Sequence, residues 1–227
     1  MNTPLFYQIR ASIDPKIIGR SELPITIQIK DKVFYEQAKK YMFNIDEYFK
    51  DKDLLYDKFP KNLTGKIYQR KKQLVNIILT MPYYPTLRFV ISQKVKNIFE
   101  KLMINKSEYH LEEFSIEGSD DNFYFLFIPL LRDIDYIDYT KSVFYNYSDD
   151  TYIIMETYEK YRQEVQKGNH IARALYVDKS LQNRDIINLQ SGKFYSKRLI
   201  DTFQKEGVIG YDIVSEEGFS RKELYFL

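Results

Sequence analysis

The sequence contains no cysteine and no tryptophan, and its 227 residues include only 2 His, 8 Gly and 7 Pro. Each shortage excludes a chemistry. Without cysteine there are no disulfides, no thiolate metal ligands and no thiol nucleophile. The two histidines, His110 and His170, stand far apart and form neither H-x-x-x-H nor H-E-x-x-H, so no helical zinc motif is present. They read as structural or solvent-facing residues. The glycines are scattered, with no G-x-x-x-x-G-K and no G-x-G-x-x-G, and so no loop built to cradle phosphate. No window approaches the ~18 consecutive apolar residues of a membrane span. The opening "MNTPLFYQIRASID" lacks the basic start and apolar core of a signal peptide, and a cytoplasmic home is the expectation. A charge excess is missing as well. With 34 basic and 32 acidic residues the net charge is +2, which argues against a dedicated nucleic-acid binder.

What remains is an ordinary globular composition, 44% hydrophobic and 29% charged, in a chain long enough to bury a substantial core. Tyrosine (21) and phenylalanine (16) are abundant. An AT-rich codon bias accounts for that as readily as an aromatic binding surface does, and tyrosine serves as an ordinary strand residue. Strands are expected at 5–11 and 24–29, and a helix over 33–51 with a break near Asn44. Residues 66–79 read equally as strand, hairpin or helix start. Further along, 122–131 reads as a strand buried on both faces. The segment 156–169 reads as a helix stopped by Gly168, with strands following at 170–177 and 184–189, and a last strand closes the chain.

Two stretches carry the same pattern about a hundred residues apart: "FVISQKVKNIFEKLMINKSEYHLEEFSI" (89–116) and "FYSKRLIDTFQKEGVIGYDI" (194–213). Each reads as strand, serine, amphipathic helix and strand. Ser92 aligns with Ser196, Val95 with Leu199, Phe99 with Phe203 and Lys101 with Lys205. Both serines are expected as helix caps, worth ~1 kcal/mol each, and Gly207 as the helix stop. Neither serine sits in G-x-S-x-G or S-x-x-K, so neither reads as a nucleophile. The expected fold is α+β: a mixed, mostly antiparallel sheet with helices packed on it and two similar strand-helix-strand units, the two helices docked on one sheet. Residues 1–60 are expected to supply N-terminal strands and a helix to the same fold, with 61–227 as its main part.

The densest acidic stretch is "RDIDYIDYTKSVFYNYSDD" (132–150), read as edge-like β with turns. On a strand Asp133 and Asp135 would share a face and Asp138 the other. Three readings are open. A D-x-D pair can hold Mg²⁺ and support an enzyme; the charges can keep an edge strand from pairing; or the stretch forms an acidic, tyrosine-rich protein-binding face of Asp133, Asp135, Tyr136, Asp138, Tyr139, Tyr145 and Tyr147. The short basic run "QRKKQ", with Lys71 and Lys72, reads as a solvated turn or a weak contact to nucleic acid.

Three segments together, "RFVISQKVKNIFEKL", "DYIDYTKSVF" and "FYSKRLIDTFQKEGVIGYDI", resemble a group of bacterial domains of unknown function, many regarded as immunity proteins of polymorphic toxin systems. In that group the strand-Ser-helix unit comes twice. Between the copies lies a D-x-I-D-x-x-K-S-like segment, matched here by Asp135, Ile137, Asp138, Lys141 and Ser142. The C-terminal unit is matched by Ser196, Gly207 and Gly210. The likeness spans roughly 66–214; the N-terminal third is less similar, and its helix reads as an insertion. The resemblance implies a non-enzymatic α+β protein of the bacterial cytoplasm that binds a protein toxin domain and blocks it, with no cofactor.

Overall fold

The computed structural model describes residues 6–19, 23–52, 54–67, 74–82, 87–214 and 221–227. The fold is α+β, with mixed and mostly antiparallel strand pairing. It divides into two compact units, one formed by residues 10–129 and 201–212, the other by 1–9, 130–200 and 213–227. No division falls at residue 60. Strand Thr26–Ile29 pairs with Leu63–Ile67 across that point, so both sides of it belong to one sheet.

In the first unit six strands close into a barrel, in the order Thr26–Ile29, Leu63–Ile67, His110–Ile116, Phe123–Phe127, Leu87–Ser92 and Ile77–Met81, the last returning to Thr26–Ile29. Two of the six seams are parallel, Thr26–Ile29 on Ile77–Met81 and Leu63–Ile67 on His110–Ile116. The ambiguous 66–79 region therefore resolves into parts of two strands; Lys71 and Lys72 lie outside the described residues. All five residues of Phe123–Phe127 are buried. Closure leaves the barrel no free edge and fills its interior with side chains. Phe34, Phe59, Phe114, Phe125 and Phe127 pack there ring against ring, with centroids 4.5–5.8 Å apart for Phe59–Phe127, Phe114–Phe125, Phe59–Phe125, Phe34–Phe125 and Phe34–Phe59. Gly65 makes room for them: a Cβ there would collide with Ile27 and stand 2.5 Å from Cζ of Phe114.

The helix expected over 33–51 is two helices, Lys32–Phe43 and Ile45–Asp51, with Asn44 ending one and capping the other. Asp31 caps the first by accepting from the Phe34 N–H at 2.8 Å. The side chain of Phe34 is fully buried and stacks on Phe125. This segment is part of the barrel core, not an addition to it.

The repeated units are visible but sit differently from the expectation. The strand before the first helix, Leu87–Ser92, is a barrel strand. The strand before the second, Gly192–Ser196, belongs to a separate three-stranded sheet. The two helices, Gln93–Lys101 and Lys197–Lys205, therefore do not follow strands of one sheet. Their ends are alike. Val208 N–H donates to Phe203 O and Gly207 N–H to Gln204 O; Ile104 N–H donates to Phe99 O and Met103 N–H to Glu100 O. This is the same pair of C-terminal closures, with Gly207 (φ 63°) in the left-handed position of one and Met103 (φ 52°) in the other. The equivalent rings Phe99 and Phe203 stack 6.3 Å apart and nearly parallel. Ser196 caps its helix, accepting from Leu199 N–H at 3.3 Å. Ser92 holds the cap position without that bond. Its hydroxyl instead accepts from Asn76 Nδ2 at 2.9 Å.

The second unit holds the three-stranded antiparallel sheet Phe6–Tyr7, Gly192–Ser196 and Ile186–Leu189, and a four-stranded sheet ordered Thr151–Ile154, Val143–Asn146, His170–Val177 and Glu223–Phe226. Its core includes Ile137, Phe144, Met155, Leu175, Val177, Ile187, Leu189 and Phe194. The helix Tyr158–Gln166 adds Tyr158 and Tyr161, which are partly buried against this core.

Candidate functional site

The acidic stretch does not form a strand at its start. Residues Asp133–Tyr136 make a single helical turn, so Asp133 and Asp135 do not share a face as a strand would have them. Asp133 is fully buried and Asp135 is exposed. Tyr139 and Tyr145 are also buried, so with Asp133 they drop out of any exposed binding face. Tyr136 and Asp138 are half-buried, and Tyr147 is exposed. Asp138 accepts from the N–H and hydroxyl of Thr140; those bonds hold its carboxyl below the usual range.

Asp133 instead grips a tight turn. Strands Ile186–Leu189 and Gly192–Ser196 pair up to Leu189 opposite Gly192, leaving Gln190 and Ser191 as a two-residue hairpin loop. The Gln190 N–H donates to Asp133 Oδ1 at 2.7 Å, and the Ser191 hydroxyl donates to Oδ2. Asp133 N–H donates to Gln190 Oε1 at 3.3 Å. Tyr161 Oη lies 3.0 Å from Ser191 Oγ, and Lys222 Nζ donates to Ser191 O. Burial pushes the Asp133 carboxyl up to about 6, against the pull of these hydrogen bonds and the Lys222 charge. Burial likewise pushes the Lys222 ammonium down and the Tyr161 phenol up to about 12. Tyr139 Oη is buried with no hydrogen-bond partner among the described residues. The cluster joins a helical turn, a hairpin tip, the helix Tyr158–Gln166 and the segment leading into the last strand. Its hydrogen bonds run within the protein, which fits a structural knot.

No group of three or more His, Asp and Glu side chains among the described residues is arranged to hold a metal ion. Asp133 is committed to the turn, which removes the D-x-D pair as a ready metal site.

The tyrosines that do gather on a surface come from four strands. The cross-strand register puts Tyr152 opposite Tyr145, Ile154 opposite Val143, Tyr145 opposite Ile171, and Tyr176 opposite Tyr225. Phe144, Ala172, Leu175, Val177, Ile153, Leu224 and Phe226 point the other way, into the core. The strand period of two therefore sends Val143, Tyr145, Tyr152, Ile154, Ile171, Tyr176 and Tyr225 outward. Arg173 sits in the bulge between Ala172 and Ala174. Rings pair across the strands, Tyr145 with Tyr152 at 5.2 Å and Tyr176 with Tyr225 at 5.0 Å. Tyr152 is 63% exposed, Ile154 48% and Tyr225 38%. Tyr145 lies beneath this layer and donates its hydroxyl to Asp150 at 2.7 Å. Of this face the sequence reading named Tyr145 alone; Tyr152, Tyr176 and Tyr225 were missed.

Against known proteins, the chain matches no family model and no curated sequence. No helix among the described residues is long and apolar enough to cross a membrane.

Proposed function

We propose that the chain is a non-catalytic binding protein of the immunity type, which neutralises a cognate bacterial toxin domain in the cytoplasm by docking it on the outward face of the four-stranded sheet. The observation that carries this reading is the tyrosine layer: Tyr152, Tyr176 and Tyr225 with several aliphatic residues on the outward side of a single sheet, Tyr145 buried beneath them and Arg173 in the neighbouring bulge. Tyrosine and arginine are the residues that interfaces concentrate, because each brings a large contact area together with a polar handle. The repeated strand-Ser-helix units and the D-x-I-D-x-x-K-S-like segment, which resemble the immunity group, give the class of partner. On this reading the knot at Asp133 keeps the sheet's last strand and the hairpin in place, and the surface does the work.

The test is protection. Cells expressing the toxin domain encoded beside this chain should survive when the chain is co-expressed. Tyr152→Ala combined with Tyr225→Ala, which removes one ring from each of the two cross-strand tyrosine pairs, should keep a native circular dichroism spectrum and weaken binding by roughly 30-fold or more. Wild-type chain that protects against no such toxin would sink the immunity reading. Protection undiminished in the double variant would move the interface to another surface.

A further inference from the structure

We infer that the outer edge of strand Thr151–Ile154 accepts an extended segment of the partner protein as a fifth strand of the sheet, and that this segment carries basic residues at its ends. The inference rests on the binding reading above and names how the partner is held.

Thr151–Ile154 pairs with Val143–Asn146 on one side and, among the described residues, with nothing on the other. An edge strand of this kind presents unpaired backbone N–H and C=O groups. Its sequence, Thr-Tyr-Ile-Ile, has no charge, no proline and no bulge, so none of the usual side-chain devices blocks pairing within it. The charges stand just outside. Asp149 and Asp150 precede the strand and Glu156 follows it, all exposed. Asp150 (φ 54°) and Glu156 (φ 64°) adopt left-handed backbone that stops the strand at both ends. Asp149 accepts from the neutral Asn146 amide and Asp150 from the neutral Tyr145 hydroxyl, which leaves both charges in place. Glu156 has Lys160 Nζ 3.6 Å away, but both side chains are solvent-exposed, and such a loose surface pair is weak enough for a second cation to share the carboxylate.

The charge pattern chooses the occupant. In a second copy paired antiparallel and centred between Tyr152 and Ile153, the Asp149–Asp150 turn of each copy would come to the end of the strand where the other carries Glu156, bringing like charges together twice. Self-pairing is therefore disfavoured. A foreign strand with Lys or Arg at both ends meets an acid at each end in either direction, while the outward Tyr152 and Ile154 offer its side chains an apolar neighbour on the sheet face. Main-chain bonds would give the attachment and the ends its selectivity.

The probe is an end-blocked peptide Lys-Thr-Val-Thr-Val-Thr-Lys, with Glu-Thr-Val-Thr-Val-Thr-Glu as control, titrated into the ¹⁵N-labelled full chain. The expected result is shifts centred on the amides of Thr151–Ile154 and at least about tenfold tighter binding of the Lys-ended peptide at low salt. The variant Asp149→Lys with Glu156→Lys, both exposed positions, should reverse that preference. Shifts elsewhere, no shifts at about 2 mM peptide, equal binding of both peptides, or an unreversed preference in the variant would overturn the inference. So would concentration-dependent dimerisation through this edge. A toxin domain that binds wild type and the charge-reversed variant equally would also remove strand addition but leave the immunity reading standing. Selective peptide addition by a chain that protects against no toxin would do the opposite.

Discussion

Replacing Asp133 by Asn should remove a pH dependence that the wild type carries. The Asp133 carboxyl is raised from 3.8 to about 6, chiefly by burial. The folded state thus holds this proton more tightly than the unfolded chain does. Its contribution to stability is fully present below pH ~4, is lost as pH rises through about 6, and is absent at neutrality. At roughly 1.4 kcal/mol per pH unit, the interval from 3.8 to about 6 amounts to about 3 kcal/mol. Asn keeps the shape and still accepts from the Gln190 N–H, and the Ser191 hydroxyl can turn to accept from the new amide.

The assay is urea unfolding of both chains at intervals from pH 4 to 7. The advantage of wild type over Asp133→Asn should be about 2.5 kcal/mol larger at pH 4 than at pH 7, the remainder of the ~3 kcal/mol lying below pH 4 where the unfolded carboxyl titrates. Subtracting the variant matters, because other carboxylates act in the opposite sense. Lys40 and Tyr41 hold Asp51 below its usual range, and Lys61 and His110 hold Glu112 down despite its burial. Both groups favour the fold more as pH rises. A difference that stays flat across this range, or grows towards neutrality, would refute the reasoning. It would mean that Lys222 and the turn donors keep Asp133 ionised throughout, so that the knot is a true buried ion pair.

Three further outcomes follow from packing and backbone. Gly65→Ala should cost the barrel about 3 kcal/mol or more in chemical denaturation, since its Cβ meets Ile27 and Phe114 inside a filled interior. Met103→Gly should raise the melting temperature, worth up to about 1 kcal/mol, because an 85% exposed side chain at φ 52° bears left-handed strain and makes little contact; Gly207→Ala at the equivalent position should lower it by about 1 kcal/mol, with only Lys94 Nζ near the new methyl at 3.9 Å. Tyr139→Phe should be neutral or stabilising by about 1 kcal/mol in the same unfolding assay, since it deletes a buried hydroxyl with no partner among the described residues.

Local features of the fold were legible because local chemistry specifies them. Asn44 announced the break between two helices, since its side chain caps the second by accepting from Glu47 N–H at 3.2 Å. Gly207 announced a left-handed stop. Met103 did the same job unannounced, because nothing in a methionine signals positive φ. The barrel was not legible at all. Its closure depends on Thr26–Ile29 lying parallel to Ile77–Met81 and Leu63–Ile67 lying parallel to His110–Ile116. A parallel seam leaves no short-range mark, because no turn joins its strands. The repeat misled for a related reason. It specifies strand, cap and helix, but not which sheet the strand joins.

The candidate site shows the same division. Reading 132–150 with a period of two made Asp133 and Asp135 neighbours; the chain instead spends Asp133 on the N–H groups of a hairpin tip 57 residues away. A tight turn with donors facing inward needs an acceptor, but nothing in Gln190-Ser191 says where that acceptor comes from. The tyrosine face did leave a trace. Tyr145, Tyr176 and Tyr225 each alternate with core residues, Phe144, Leu175 and Val177, and Leu224 and Phe226, which marks one outward face per strand. What the alternation could not supply is the order in which those strands lie. Once Val143–Asn146 is seen between Thr151–Ile154 and His170–Val177, with Glu223–Phe226 beyond, separate period-two signals become one surface. The stretch that looked richest in tyrosine contributed only Tyr145 to it, because a continuous sequence must turn, and its other tyrosines went to the turn and the core.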